Sequence, residues 1–111
     1  MNDKYLRQMK KGVLDMLVLK LLKNEPKYGY QLINELKEKS QELFILKEGT
    51  LYPILYRLED DELVKSCWSG PNGKQKARKY YQITDRGKLA LDEITKLWQE
   101  MSDGIWRIME E

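Results

Sequence analysis

No histidine occurs anywhere in the 111 residues, and cysteine occurs once, at Cys67. These gaps remove much of enzyme chemistry. One cysteine allows no intrachain disulfide and no thiolate metal cluster within a chain. A Ser, Thr or Cys nucleophile would lack its usual imidazole base. Cys67 lies in a strand-like stretch and reads as inert packing. Glycine-rich phosphate loops are absent, and the carboxylates and lysines stand in no recognisable acid–base pairing. The chain reads as a non-enzyme without metal or cofactor.

Long apolar runs are missing too. Nothing approaches the roughly 20 residues of a membrane span. The N-terminal stretch MNDKYLRQMKKGVLDMLVLKLLK is punctuated by Asp15 and Lys20 and has no signal-peptide cleavage pattern. These features point to a cytoplasmic protein. The length suits one domain, small enough to gain from a partner. Net charge is only +2, but it is unevenly spread. The stretch GPNGKQKARKYY (70–81) holds Lys74, Lys76, Arg78 and Lys79 and no acid, whereas the C-terminal end leans acidic. That asymmetry suggests a polyanion-binding surface and a separate assembly surface.

Along the chain, GVLDMLVLKLLK (12–23) sets Leu14, Leu17, Val18, Leu21 and Leu22 on one stripe, a helix ended by Asn24-Glu25-Pro26. Residues 28–39 predict a second helix with Leu32, Ile33 and Leu36 inward. Ser40 to Lys47 is a connector whose Phe44, Ile45 and Leu46 are expected against the core. GTLYPILYRLEDDELV (49–64) follows with Leu51, Ile54, Leu55 and Leu58 at helical spacing. A start at Thr50 puts Pro53 among the unbonded first amides, whereas a start at Lys47 loses one hydrogen bond. The period then changes. LVKSCWS (63–69) and RKYYQIT (78–84) read as strands around the turn Gly70-Pro71-Asn72-Gly73. Thr84 is the expected N-cap of a last helix running to about Met109. Its Leu91, Ile94, Trp98, Met101, Ile105 and Ile108 follow a coiled-coil seam.

Three helices and a β-hairpin make a winged helix-turn-helix, mainly α, carrying a long C-terminal dimerisation helix. The third helix is the one to enter a major groove. It offers Thr50, Tyr52, Tyr56 and Arg57 to nucleic acid, with Tyr30 alongside. Lys74, Lys76, Arg78 and Lys79 form a basic wing. Three phosphates neutralised per subunit give a dimer a salt slope of about −5. The acids Glu59-Asp60-Asp61-Glu62 oppose the helix dipole and must point away from the backbone, toward the hairpin base. The C-terminal seam calls for a homodimer, with half-sites on a pseudo-palindromic operator about 34 Å or a multiple apart. Trp98 at a two-fold interface frames a slot for a flat ligand, with Met101 and Met9 as adaptable walls. Two other readings stay open: a winged-helix protein-interaction module without specific DNA binding, and a general DNA- or RNA-coating protein.

YGYQL (28–32), GTLYPILYRLE (49–59), LV (63–64), RKYYQIT (78–84) and DRGK (85–88) together resemble the PadR family of bacterial transcriptional regulators, over roughly residues 12–98. The length resembles its small subfamily with a single terminal helix. The resemblance implies a winged helix-turn-helix domain (1–84), dimerised through its C-terminal helix (85–111) with help from the N-terminal helix. It implies operator binding, usually repression, relieved by a small planar aromatic or cationic compound stacking on Trp98. Asp15 and Met16 would face the same pore. Two departures stand out: Glu62 replaces a common glycine, and GKQKARKYY lacks the usual proline of the wing.

Overall fold

The apolar faces of four helices and a small sheet converge on one core. The computed structural model describes residues 3–69 and 77–111. Within these, the order is α1 (Asp3–Lys10), α2 (Leu14–Leu21), β1 (Lys27–Tyr28), α3 (Gly29–Lys39), α4 (Glu48–Asp60), β2 (Val64–Ser69), β3 (Arg78–Ile83) and α5 (Asp85–Met109). β3 is the central strand of an antiparallel sheet in the order β1-β3-β2. This is the expected winged helix-turn-helix with a long terminal helix. The expected turn at residues 70–73, with Lys74 and Lys76, lies outside the described residues. No described helix is long and apolar enough to cross a membrane.

α4 folds as its spacing dictates: Leu51, Ile54, Leu55 and Leu58 are all buried. It starts at Glu48 with Lys47 as N-cap, so Pro53 sits inside it. The proline therefore removes one intrahelical bond, that to the carbonyl of Gly49. Gly49 is exposed, where water can take up that carbonyl. The Thr84 cap also forms as expected, its hydroxyl accepting from the Gly87 amide at 2.9 Å. α2 is apolar almost all round, which blurs its periodicity. Its Val18 and Leu19 and the C-cap Leu22 are fully covered, while Leu14, Leu17 and Leu21 are partly exposed at the core edge.

Several expectations are corrected. Residues 3–10 form a helix that their mostly polar sequence did not announce. Gly12, at φ +88°, separates it from α2. Tyr28 is not helical; with Lys27 it makes the short β1, paired to Tyr80 and Tyr81. Ile45 is exposed, because an extended connector alternates and only Phe44 and Leu46 turn inward. Cys67 is exposed rather than packed. It stands opposite Tyr80, on the face of the sheet away from Val64, Tyr81 and Ile83. Leu91 is covered by its own chain, with 4% of its surface exposed, so it needs no second subunit to bury it.

A buried charge ties β1 to α3. Lys27, 6% exposed, donates to Glu35 at 2.6 Å, and Lys39 reaches the same oxygen at 3.1 Å. Burial pushes the Glu35 carboxyl up, but hydrogen bonds from the two lysines outweigh it and hold it below the ordinary carboxylate range.

α4 ends in a Schellman turn. The Leu63 amide donates to the Leu58 carbonyl and the Glu62 amide to that of Glu59, both at 2.9 Å. This places Glu62 at φ +62°, a left-handed conformation that glycine adopts without steric cost. Glu62→Gly is therefore expected to raise stability by about 1 kcal/mol in denaturant unfolding. The exposed Glu62–Arg86 pair at 3.2 Å contributes too little to reverse that sign.

Candidate nucleic-acid interface

Gly29 of the YGY motif is a site of close approach. A β-carbon on Gly29 would overlap the hydroxyl end of Tyr52. The YGY turn and the TLYP segment thus press together, and Tyr52 is half-buried across the N-terminus of α3. Tyr56 lies one turn further along α4, its ring centroid 6.0 Å from that of Tyr52. It is half exposed.

The wing strand reaches over these tyrosines. Lys79 pairs with Trp68 across the hairpin and shares the core-facing side of the sheet with Tyr81. Near the core that side packs on the helices, but towards the tip it runs past them. There the Lys79 ammonium lies 5.4 Å from the rings of both Tyr56 and Tyr81. On the other face, the Arg78 guanidinium stacks 4.6 Å from the Tyr28 ring, which meets Tyr80 edge-on at 5.5 Å. Such cation–π contacts hold a long side chain over a surface without neutralising its charge. Tyr81 itself is fully buried, and desolvation first, then the neighbouring Tyr56, Glu59 and Tyr52, pushes its hydroxyl up to about 12. It serves as core, with its proton retained at neutral pH.

A shallow cavity of about 510 Å³ lies between the wing and the helices, lined by Tyr28, Gly29, Tyr30, Tyr52, Trp68, Arg78 and Lys79. Tyr30 is 60% and Trp68 66% exposed. Tyr30, Tyr52, Arg78 and Lys79 thus border one cavity, with Tyr56 beside Lys79. Thr50 is exposed near the start of α4. Trp68 and Tyr28 were not among the residues expected here. The signal for Trp68 was a large aromatic directly opposite a lysine in a two-stranded register. For Tyr28 it was masked by the helical reading of residues 28–39.

Of the acidic end of α4, only Glu59 is bonded to the hairpin among the described residues, while Asp60 and Asp61 are exposed. Glu59 accepts from Ser66 of β2, and Glu62 pairs with Arg86 of α5. Arg57 lies apart from the aromatic surface. Its guanidinium is bonded to Asp15 of α2 at 2.5 Å.

A second concavity, of about 680 Å³, runs between α2 and α5. Met16, Leu17, Leu91 and Trp98 supply its apolar lining, and Lys20, Lys23, Lys96, Asp92 and Glu100 its charges. Of the residues expected around a ligand, Met16 and Trp98 meet here. Met9 and Met101 are exposed and line no part of it, and Asp15 is turned to Arg57. Beyond it, α5 carries Trp98, Met101, Ile105 and Ile108 exposed, together with Leu97, Trp106 and Met109. Ile94 is partly covered by the core.

Known proteins share this arrangement. The profile of the transcriptional regulator PadR-like family matches residues 18–93. A Lysinibacillus sphaericus protein of undetermined role is 36% identical over 100 residues, 90% of this chain and 91% of its own. A transcriptional regulator of Mycobacterium tuberculosis is 30% identical over 97 residues, 87% of this chain and 86% of its own. Among solved structures, a PadR family transcriptional regulator from Eggerthella lenta superposes with a TM-score of 0.86 at 35% identity, covering 97% of this chain and 91% of that one. A PadR-like regulator from Bacillus cereus gives 0.79 at 31%, with 94% and 98% covered. With its winged helix, its wing packed on α4 and a family match across most of its length, the chain belongs to the PadR-like family of transcriptional regulators.

Proposed function

We propose that the protein is a cytoplasmic homodimeric repressor that binds a pseudo-palindromic DNA operator and releases it when a small aromatic or cationic ligand enters at the dimer interface. The observation that carries the DNA reading is the surface shared by α4, β1 and β3, with Lys79 over Tyr56 and Arg78 over Tyr28. It offers unneutralised cations for phosphates beside aromatic and hydroxyl groups suited to sugars and base edges. Thr50 and Tyr52, near the start of α4, have the helix dipole behind them for a phosphate oxygen. In the sequence, Lys74 and Lys76 belong to the same basic stretch.

Residues 1–84 form the DNA-binding domain and 85–111 the dimerisation helix. The exposed Trp98, Met101, Ile105 and Ile108 are a seam that water does not favour, and a second copy of α5 covers it. The groove beside Trp98 is within the usual ligand-site range of about 300–1,000 Å³. Its lysines and acids both stand at the rim, so it accepts a flat ring on the tryptophan and a charged substituent at its edge.

The test is binding to the DNA upstream of the protein's own gene and to a shuffled duplex, across a salt series. A strong preference for the upstream duplex with a slope near −5 supports the operator reading. Equal binding to both points to a coating protein. No binding at low salt rejects the DNA reading in favour of a protein-interaction module. For the ligand, Trp98→Ala is expected to abolish tryptophan quenching by planar aromatic cations or acids, with Trp68→Phe and Trp106→Phe as controls. Unchanged quenching would remove Trp98 from the ligand site.

A further inference from the structure

We propose that Asp15 is an affinity-setting residue that holds Arg57 away from DNA phosphates, leaving electrostatic capture of the duplex to the wing. The inference rests on the DNA-binding reading above. Arg57 is the one basic residue in α4, Glu48–Asp60. It stands in the last turn of that helix, on the flank opposite Tyr52 and Tyr56. Its Nη2 donates to Oδ1 of Asp15, 42 residues earlier in the first turn of α2. The pair closes the gap between α2 and α4 from outside the core, with the arginine side chain 54% and the aspartate 33% exposed.

The charge count explains the consequence. Glu48, Glu59 and Asp60 leave α4 negative even with Arg57 included, and Asp61 and Glu62 follow at once. With Arg57 engaged by Asp15, α4 brings no free cation toward a phosphate. A random duplex, which offers only its backbone, then meets the cations of the wing and the exposed Lys47 at the start of α4, but not Arg57. Sequence preference has to come from shape and from the neutral tyrosine and threonine groups of α4. An exposed ion pair contributes at most a small factor in binding. It is therefore enough to tune affinity, but not to lock the domain. The aspartate was expected to face a ligand. Of the expected pair Asp15 and Met16, only Met16 lines the α2–α5 groove.

The test is a double-mutant cycle on the full-length protein. Binding to the shuffled and upstream duplexes is measured across salt for wild type, Asp15→Asn, Arg57→Ala and the double variant. Asp15→Asn is expected to tighten binding to the shuffled duplex by about two- to fivefold. It should also steepen the salt slope by about one per bound subunit, as the freed guanidinium neutralises a phosphate. Arg57→Ala should match wild type on the shuffled duplex within about twofold, and should cancel the gain in the double variant. Two outcomes overturn the proposal alone: no gain from Asp15→Asn, or an equal gain without Arg57, which would be a general charge effect. Failure of the wild type to bind either duplex overturns the DNA reading and this inference with it. Thermal melts of all four proteins separate these results from loss of fold.

Discussion

Gly87→Ala is expected to destabilise the protein by about 3 kcal/mol or more and to lower its melting temperature by over ~10 °C. Gly87 is the third residue of α5, where the chain leaves the wing and turns along the core. A β-carbon there would overlap the carbonyl oxygen of Leu63 and stand 2.7 Å from Cγ1 of Ile83. Neither neighbour can yield cheaply. The Leu63 carbonyl accepts from the Thr84 amide at 3.0 Å and from its hydroxyl at 3.0 Å. Ile83 is buried and paired with Val64. Relief would require α5 to lift from the sheet, breaking the Thr84 cap and exposing Leu91. Gly49→Ala is the matched control. It is also helical, but nothing lies within 4 Å of its β-carbon, so alanine should be neutral or stabilising by up to ~1 kcal/mol. Equal melting temperatures for the two variants would show that the junction between wing and α5 is looser than the geometry requires.

The second large effect is on DNA. The pair Arg78→Ala and Lys79→Ala is expected to weaken duplex binding on the order of 100-fold near physiological salt and to flatten the salt slope by about 3–4 for a dimer. The reason lies in placement. Both side chains extend beyond the helices, held over Tyr28 and Tyr56, and neither pairs with a carboxylate among the described residues. Losing the three cation–π contacts should cost only about 0.5–1 kcal/mol each, so the fold survives. A slope that stays at the wild-type value would mean the wing's charge does not meet phosphate, and would favour a protein-facing surface.

The two variants probe different kinds of information. The DRGK glycine and the RKYY cations stand in short motifs, and the reading of those motifs pointed to the correct region of the fold. Local pattern was strongest where one face is buried and the rest polar. Leu51, Ile54, Leu55 and Leu58 were legible because a single helical period separates them from Tyr56 and Asp60. Thr84 was legible because a hydroxyl before a helix has one obvious use. α2 was less legible, since an almost uniformly apolar helix does not reveal which side is deeper. Short β1 was invisible, because two residues carry no period at all.

Other features depended on contacts between distant segments. Arg57 reads from its helix as a DNA-facing cation, yet it lies against Asp15. Leu91 reads as part of an intersubunit seam, yet its own α2 and sheet cover it. Trp68 reads as an ordinary strand aromatic, yet the hairpin carries it past the helices into solvent. In each case the residue's face was legible and its partner was not. Backbone periodicity sets the direction in which a side chain leaves its element, and that much is local. Which surface it then meets depends on how α2, α4, the wing and α5 pack together, and that packing is settled by the shared burial of Val18, Leu32, Leu55 and Tyr81 rather than by any one segment.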